Sequence, residues 1–306
     1  MIQMENVTYS YEKGYGIKNV NFTIDDSEFT FLIGPTGSGK TTIMKLIYMA
    51  LIPQSGVVTT GKFSSDTIKK RKIPFVLFVS TREVGSYGYM TWKQIKEIES
   101  SDLATIGNHS HTHEYLIDWE EKKIRDDLEK SIKIFEKELG YSPKLFSYPF
   151  GEYSTTLKKI VTDLNFEFAF GQHSGVIDSS KDFLELPRFP INEKYGELKR
   201  FKSIIQTLPF PYEKITPENR YIKGNENPPK VKIKFFKDLI DVKNITCYSN
   251  EGNIWRKSDI KFTNKSELEI LLKEKFKSER GRINCSLWAE KNRWRWLGIQ
   301  YVIAEY

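Results

Sequence analysis

The chain is poor in cysteine and histidine and has no long apolar run, and each scarcity closes off a class of function. Of its 306 residues only two are cysteine, Cys247 and Cys285, both in the last quarter. Two thiols cannot supply a four-cysteine zinc or iron–sulfur site. They pair in an oxidising compartment or remain two reduced core thiols, and the sequence leaves both open. No stretch approaches the roughly 18 consecutive apolar residues of a membrane-spanning helix. The start, Met1-Ile2-Gln3-Met4-Glu5-Asn6, has no basic run ahead of an apolar core, so it does not read as a secretory signal. Taken as written, the chain is expected in the cytoplasm. No internal repeat of fixed period is visible. The net charge is +7. Lysine-rich solvated faces account for that, as would contact with an anionic polymer or membrane surface. No basic block is interleaved with stacking aromatics, so nucleic acid is not an expected partner.

Hydrophobic periodicity divides the chain into segments. Residues 1–62 read as short strands, Val7–Tyr11, Val20–Ile24 and a continuous apolar strand Phe29–Ile33, then a glycine-rich loop and a helix Thr41–Leu51 stopped by Pro53. Residues 63–71 are polar and basic and read as a junction. Residues 72–215 alternate strand and helix. Strands are expected at Phe75–Val79, Ala104–Gly107, Leu145–Tyr148, Phe168–Phe170 and Leu184–Leu186. Helices are expected at Thr91–Ser100, capped by Thr91 with Gln94, at Trp119–Leu139, ended by Gly140, and at Ser154–Leu164. Repeated βα units imply a parallel sheet or barrel with its site at the strands' C-terminal ends. Residues 216–229, with Pro217, Gly224, Pro228 and Pro229, read as a linker. Residues 230–306 hold alternating strands such as Val231–Phe235 and Ile299–Ile303, and read as a small β-sandwich. There Trp294-Arg295-Trp296 is either a sugar-stacking surface or packed sandwich aromatics.

Two motifs carry chemistry. The first is Gly34-Pro35-Thr36-Gly37-Ser38-Gly39-Lys40-Thr41, which fits G-x-x-x-x-G-K-[ST] between an expected strand and a helix. Glycines there let successive N–H groups converge on phosphate oxygens at a helix N-terminus. Lys40 reaches toward the β- and γ-phosphates, and Thr41, followed by Thr42, offers a hydroxyl to Mg²⁺. Residues 1 to about 60 resemble the first part of ABC transporter ATPases, most closely the cell-division ATPase of that group. The resemblance implies a nucleotide site of Tyr11, Gly34, Gly37, Ser38, Gly39, Lys40, Thr41 and Thr42 for ATP with Mg²⁺, with Tyr11 stacking on adenine, and a membrane-protein partner. No Leu-Ser-Gly-Gly-Gln signature and no apolar strand ending in Asp-Glu follow, so ATP hydrolysis is not expected.

The second is Asn108-His109-Ser110-His111-Thr112-His113, which gathers three of the chain's four histidines into five residues. Neutral imidazoles are common ligands for Zn²⁺ and similar divalent ions. His109 and His113 share a face if the segment turns helically, whereas all three would share one face if it were extended. Ile106–His113, Tyr89-Met90-Thr91-Trp92, Phe146-Ser147-Tyr148-Pro149-Phe150-Gly151 and Leu186-Pro187-Arg188 together resemble the polysaccharide deacetylase (NodB-homology) carbohydrate esterases over about 72–215. The resemblance implies metal-assisted removal of N-acetyl groups from an amino-sugar glycan, with a Zn²⁺-type ion on His109 and His113. It also implies a backbone N–H near Tyr148 facing the oxyanion, and Arg188 orienting a catalytic carboxylate. His173 is a candidate general acid or a loop histidine without a role; Glu152 and Asp178 are further candidate acids.

The family's aspartate pair, on a first strand ahead of Phe75, has no counterpart. Asp66 lacks strand context, and Asp25-Asp26 fits the P-loop segment better. The fold expected is therefore α/β: an incomplete (β/α) deacetylase barrel lacking its first βα unit, preceded by a partial P-loop segment and followed by a β-sandwich. The strand Phe29–Ile33 and the helix Thr41–Leu51 are candidates to fill that gap. Activity is expected to be impaired. The alternatives are an ATP-binding module of an ABC-type assembly and a non-catalytic glycan-binding protein.

Overall fold

The computed structural model describes residues 1–304 apart from 12–13, 27, 29, 48–50, 52, 62, 65–72, 102, 193, 237–241 and 290–292. The chain divides into two compact units, 1–75 and 76–306.

The first unit is an antiparallel sheet and one helix. Strands β1 (Ile2–Ser10), β2 (Gly16–Ile24), β3 (Ser55–Thr60) and β4 (Phe63–Ser64) lie in the order β2-β1-β3-β4. Met4, Val7, Tyr9, Ile17 and Val58 bury one face against Leu46 of helix α1 (Lys40–Ile47). The period-2 pattern made β1 and β2 legible, although both run longer than expected. The expected apolar strand ahead of the loop is not formed. Phe29 lies outside the described residues, and Thr30–Ile33 are assigned to neither helix nor strand, with Phe31 74% and Ile33 86% exposed. A continuous apolar run holds as a strand only when both faces are covered. With no strand assigned at Thr30–Ile33, the structure offers no counterpart there to the expected first barrel strand. Helix α1 ends at Ile47, and residues 48–50 of the expected helix lie outside the described residues, as do 65–71 of the junction and Asp66.

The second unit opens with a parallel sheet in the order β5-β6-β7-β8: β5 (Phe75–Val79, beginning at the unit boundary), β6 (Ala104–Asn108), β7 (Leu145–Ser147) and β8 (Phe168–Phe170). β6–β7 and β7–β8 are parallel. Among the described residues β5 and β8 are the outer strands of this sheet. Thr91 and Gln94 form the expected capping box on α2 (Trp92–Glu99). Helix α3 (Glu121–Leu139) ends on Gly140 at φ 83°, a left-handed cap that costs glycine little. Ser154 caps α4 (Thr155–Asp163). Ile124, Leu128, Leu157 and Ile160 of α3 and α4 pack on Phe146 and Ala169. Leu184–Leu186 is not assigned as a strand, but it lies alongside β8: Phe170 bridges Leu186, and the Ala169, Leu186 and Gly171 N–H groups donate to the Phe183, Ala169 and Leu186 carbonyls.

After helix α5 (Leu198–Ile204) come β9 (Leu208–Pro209), β10 (Tyr212–Thr216), β11 (Tyr221–Ile222), β12 (Val231–Phe235), β13 (Thr246–Ser249), β14 (Arg256–Lys257), β15 (Asp259–Asn264), β16 (Glu267–Leu271), β17 (Arg280–Ala289) and β18 (Arg293–Ile303). They form two sheets, β10-β12-β16-β15 and β11-β18-β17-β13-β14, with β9 beside β18. One core, including Ile233 and Leu268 of the first sheet and Ile283 and Ile299 of the second, lies between them. The stretch 216–229 contributes β11, which pairs with β18. Cys247 and Cys285, opposite each other on β13 and β17, are disulfide-bonded and fully buried. Among the described residues no helix is long and apolar enough to cross a membrane.

Candidate active site

The histidine loop leaves the C-terminal end of β6 and is neither helical nor extended. Ser110 and His113 take left-handed backbone (φ 65° and 56°), and the two reversals bring the His109 and His113 rings to 4.6 Å, at 78° to each other. His109 Nδ1 lies 2.6 Å from the Ser147 carbonyl oxygen at the end of β7. A carbonyl can only accept, so Nδ1 carries the proton and Nε2 keeps a lone pair for a ligand. Orientation of this kind is what second-shell carbonyls do for metal-binding histidines. Burial, partly opposed by that hydrogen bond, lowers the His109 pKa to about 4, with His113 and Arg188 adding positive charge nearby. The ring is therefore neutral at neutral pH. His111 turns away: its Nδ1 is 2.9 Å from Thr81 Oγ1, and its ring is buried.

Asp127 on α3 holds this loop, and sequence reasoning missed it. The His111 and Thr112 N–H groups donate to its two carboxylate oxygens at 2.9 and 3.1 Å, and the residue is 6% exposed. Asn108 assists, its Oδ1 accepting from the Ser110 N–H at 2.8 Å and the Ser131 hydroxyl at 3.0 Å. The signal was present: Asp127 and Ser131 interrupt the buried stripe Ile124, Leu128, Phe135.

Beside the two rings is a cleft of about 550 Å³, lined by Phe78, Ser80, Glu83, Tyr89, Met90 and Thr112 among others. Its one lining carboxylate, Glu83, accepts from Arg82 Nε at 2.9 Å. A catalytic zinc site uses three protein ligands. Among the described residues no group of three or more His, Cys, Asp or Glu is placed to hold a metal ion. The two imidazoles fit the nitrogen part of such a site, and no described carboxylate completes it.

The other sequence candidates fare differently. The Tyr148 N–H donates to the Phe170 carbonyl at 3.1 Å and so is not free to face an oxyanion. Its ring is fully buried, with its hydroxyl donating to the Leu184 carbonyl at 2.8 Å. Pro149 has no N–H, and the Gly151 N–H donates to the Tyr148 carbonyl. Among the described residues that leaves Phe150, whose ring lies 4.8 Å from His113 and stacks on Tyr115 at 4.0 Å. Phe150 is held at φ 56°.

Arg188 donates from Nε to the Gly171 carbonyl at 3.2 Å, and its charge is felt at His109. Its side chain has no carboxylate partner among the described residues. His173 is half-buried with its Nδ1 enclosed, and desolvation with Arg220 nearby lowers its pKa to about 3. Glu152 is buried and binds Arg280 Nε at 2.7 Å on β17, and burial raises its pKa. Asp178 bonds Ser180 and Lys181. Neither acid lines the cleft.

In the first unit, Gly37 (φ 85°) and Gly39 (φ 88°) take the left-handed backbone that the phosphate loop needs. Lys40 Nζ is turned into the loop, donating to the Gly34 and Pro35 carbonyls at 2.7 Å each. The Thr42 hydroxyl faces the Tyr11 hydroxyl at 3.5 Å, and Thr41 is exposed. Asp26 pairs with the Met1 amine, and the Asp25 N–H donates to Glu28.

Comparison with known proteins bears on both units. Residues 59–169 match the polysaccharide deacetylase family model. The N-terminal segment is homologous to ABC-type ATP-binding proteins. The cell division ATP-binding protein FtsE of Mycobacterium tuberculosis is 41% identical over 76 residues, which is 24% of this chain and 33% of that protein. IcaB from Ammonifex degensii is a solved structure with 25% identity over 46% of this chain and 65% of its own, at a TM-score of 0.42. The Streptococcus pyogenes deacetylase PplD gives 22% identity over 44% and 60%, at 0.42. The chain thus spans about a third of the length of that curated relative and under two thirds of those solved chains.

Proposed function

We propose, from the polysaccharide deacetylase match over residues 59–169, that the second unit is a deacetylase-like protein for N-acetylated amino-sugar glycans. In this reading it keeps a weak divalent-metal site at His109 and His113 and is impaired in hydrolysis. The observation that carries the reading is the pair of rings 4.6 Å apart, one of them locked by the Ser147 carbonyl in the ligand-ready tautomer. A divalent ion such as Zn²⁺ supplies Lewis-acid polarisation of an amide carbonyl when bound. The chain's own groups would do the rest. His109 presents a neutral ring nitrogen with the His113 imidazole beside it, the Phe150 ring packs on His113, and Arg188 adds positive charge. Among the described residues the cleft offers no free carboxylate to act as base. Glu83 is held by Arg82, and a positioned base contributes about 10²–10⁴-fold in rate. Turnover on N-acetylglucosamine oligomers is therefore expected at least that far below an intact site.

Zinc titration of the metal-stripped protein tests the binding. Affinity should fall on His109→Ala and on His113→Ala, and equal affinity in all three proteins would reject the site. Full turnover in acetate-release assays would reject the impairment. The buried disulfide favours an oxidising compartment such as the cell envelope over the cytoplasm.

A second reading belongs to the first unit, favoured by its homology to ABC-type ATPases and its left-handed glycines. It would bind ATP with Mg²⁺ weakly at Lys40 and Thr41, without hydrolysis, and dock a membrane protein. Loss of fluorescent-nucleotide binding on Lys40→Ala is the expected result; unchanged binding would exclude the loop.

A further inference from the structure

A second cleft, of about 540 Å³, lies between the strand-end loops of the parallel sheet and the outer face of the β17–β18 hairpin. Ile283, Cys285 and Leu287 of β17 and Leu297, Ile299 and Tyr301 of β18 face the sandwich core. Alternation therefore puts Arg282, Asn284, Ser286 and Trp288, with Trp294, Trp296, Gly298 and Gln300, on the opposite face. Register aligns them in rows: Arg282 with Gln300, Asn284 with Gly298, Ser286 with Trp296 and Trp288 with Trp294. The loop at Ser174 lies close on this face. The Gly298 N–H donates to the Ser174 carbonyl at 2.6 Å, and a Cβ at Gly298 would sit 2.6 Å from that oxygen. The Ser174 hydroxyl receives Trp296 Nε1 at 2.7 Å, which fixes the indole at the cleft.

Three arginines converge there, Arg188 and Arg200 from one wall and Arg282 from the other, and among the described lining residues there is no carboxylate. Glu193 lies outside the described residues. Among the described residues, the hydrogen-bond partners of all three guanidinium groups are neutral. Arg188 donates to the Gly171 carbonyl, Arg200 to the Pro190 and Tyr195 carbonyls, and Arg282 to Gln300 Oε1 at 3.3 Å. Gln300 is 6% exposed, and its Nε2 is buried with no acceptor. Trp255, half exposed, and Trp296 add aromatic surface. Beyond them the Trp288 and Trp294 rings, 4.9 Å apart, continue the same face. Six residues of strand from Trp288 to Arg282 make a track of roughly 20 Å.

We infer that this cleft binds an acidic oligosaccharide, its anionic groups received by Arg282, Arg200 and Arg188 and its sugar faces by Trp255 and Trp296. Guanidinium forks match carboxylates in bidentate geometry, and side-chain amides such as Asn192 and Asn284 match hydroxyls. The volume lies within the roughly 300–1,000 Å³ of small-ligand sites. The described lining contains no lysine, unlike the basic groove that tracks a nucleic-acid backbone. The site does not depend on the histidine pair, so its binding stands or falls without metal.

The test is calorimetric titration of the full chain, in chelator, with a galacturonate hexamer, a neutral N-acetylglucosamine hexamer and a thymidylate hexamer. The galacturonate hexamer is expected to bind at least tenfold more tightly than the other two, and more weakly as salt rises. Arg282→Gln and Trp255→Ala, each checked for an unchanged melting transition, are expected to weaken it about tenfold. His113→Ala should leave it unchanged, which separates this cleft from the metal-site reading. Equal binding of the neutral hexamer, tighter binding of thymidylate, no binding at all, or indifference to both cleft variants would each overturn the inference.

Discussion

The loop that presents His109 and His113 is held by a carboxylate that never touches them, so Asp127 is where the geometry is most open to refutation. Its two oxygens accept the His111 and Thr112 N–H groups, at 6% exposure. Asp127→Ala leaves two buried donors unsatisfied, at about 1–3 kcal/mol each. Asp127→Asn keeps one acceptor and loses the other. Unfolding free energy should therefore fall by about 4 kcal/mol in the alanine variant and about 2 kcal/mol in the asparagine variant. Because the loop also sets the angle between the two rings, zinc affinity should fall about 10–100-fold in the alanine variant. Urea denaturation in chelator, followed by circular dichroism, reads the first effect, and zinc titration of the folded variants reads the second. A loss below about 1 kcal/mol with unchanged zinc affinity in Asp127→Ala would show that the loop holds its shape by itself. An asparagine variant as unstable as the alanine one would show that charge, rather than the two acceptors, is what matters.

Acid should destabilise the second unit before its carboxylates titrate. His109 and His173 have folded pKa values of about 4 and about 3, below the ordinary value of about 6.5. The unfolded chain then binds more protons, so this stability is present above about pH 6.5 and is lost as pH falls toward the folded values. At pH 5.5 the two rings together take up about 1.8 protons on unfolding, a slope of about 2.5 kcal/mol per pH unit. Unfolding free energy that stayed flat between pH 7 and 5 would contradict their burial as neutral rings. The Cys247–Cys285 bond closes a separation of 38 residues, so replacing both cysteines with serine should cost about 4 kcal/mol by loop entropy. Chemical denaturation of the oxidised and substituted proteins measures this, and equal midpoints would mean the bond contributes nothing.

Local pattern made most of the elements readable before any coordinates. The capping box at Thr91 and Gln94, the Gly140 stop and the strands Phe75–Val79 and Phe168–Phe170 depend on neighbours within a few residues. The histidine cluster and the phosphate loop are likewise contiguous, so their residue types alone named them. Thr30–Ile33 went the other way, because an apolar run is a strand only if distant chain covers it. Leu184–Leu186 was placed correctly beside β8, to which its backbone is hydrogen-bonded, but the contact is too short to count as a strand. The tautomer of His109 rests on a carbonyl 38 residues away, and the loop's anchor Asp127 sits on a helix further along. The amide of Tyr148, read as free, is taken by Phe170. The second cleft is assembled from loops near 174 and 188 and a hairpin more than 90 residues later. Sequence by itself determined which groups could do chemistry, because identity and short-range spacing are written along the chain. Tertiary structure decided which of them meet, which are already hydrogen-bonded and which lose their charge, because burial and partnership are set by residues far apart in sequence.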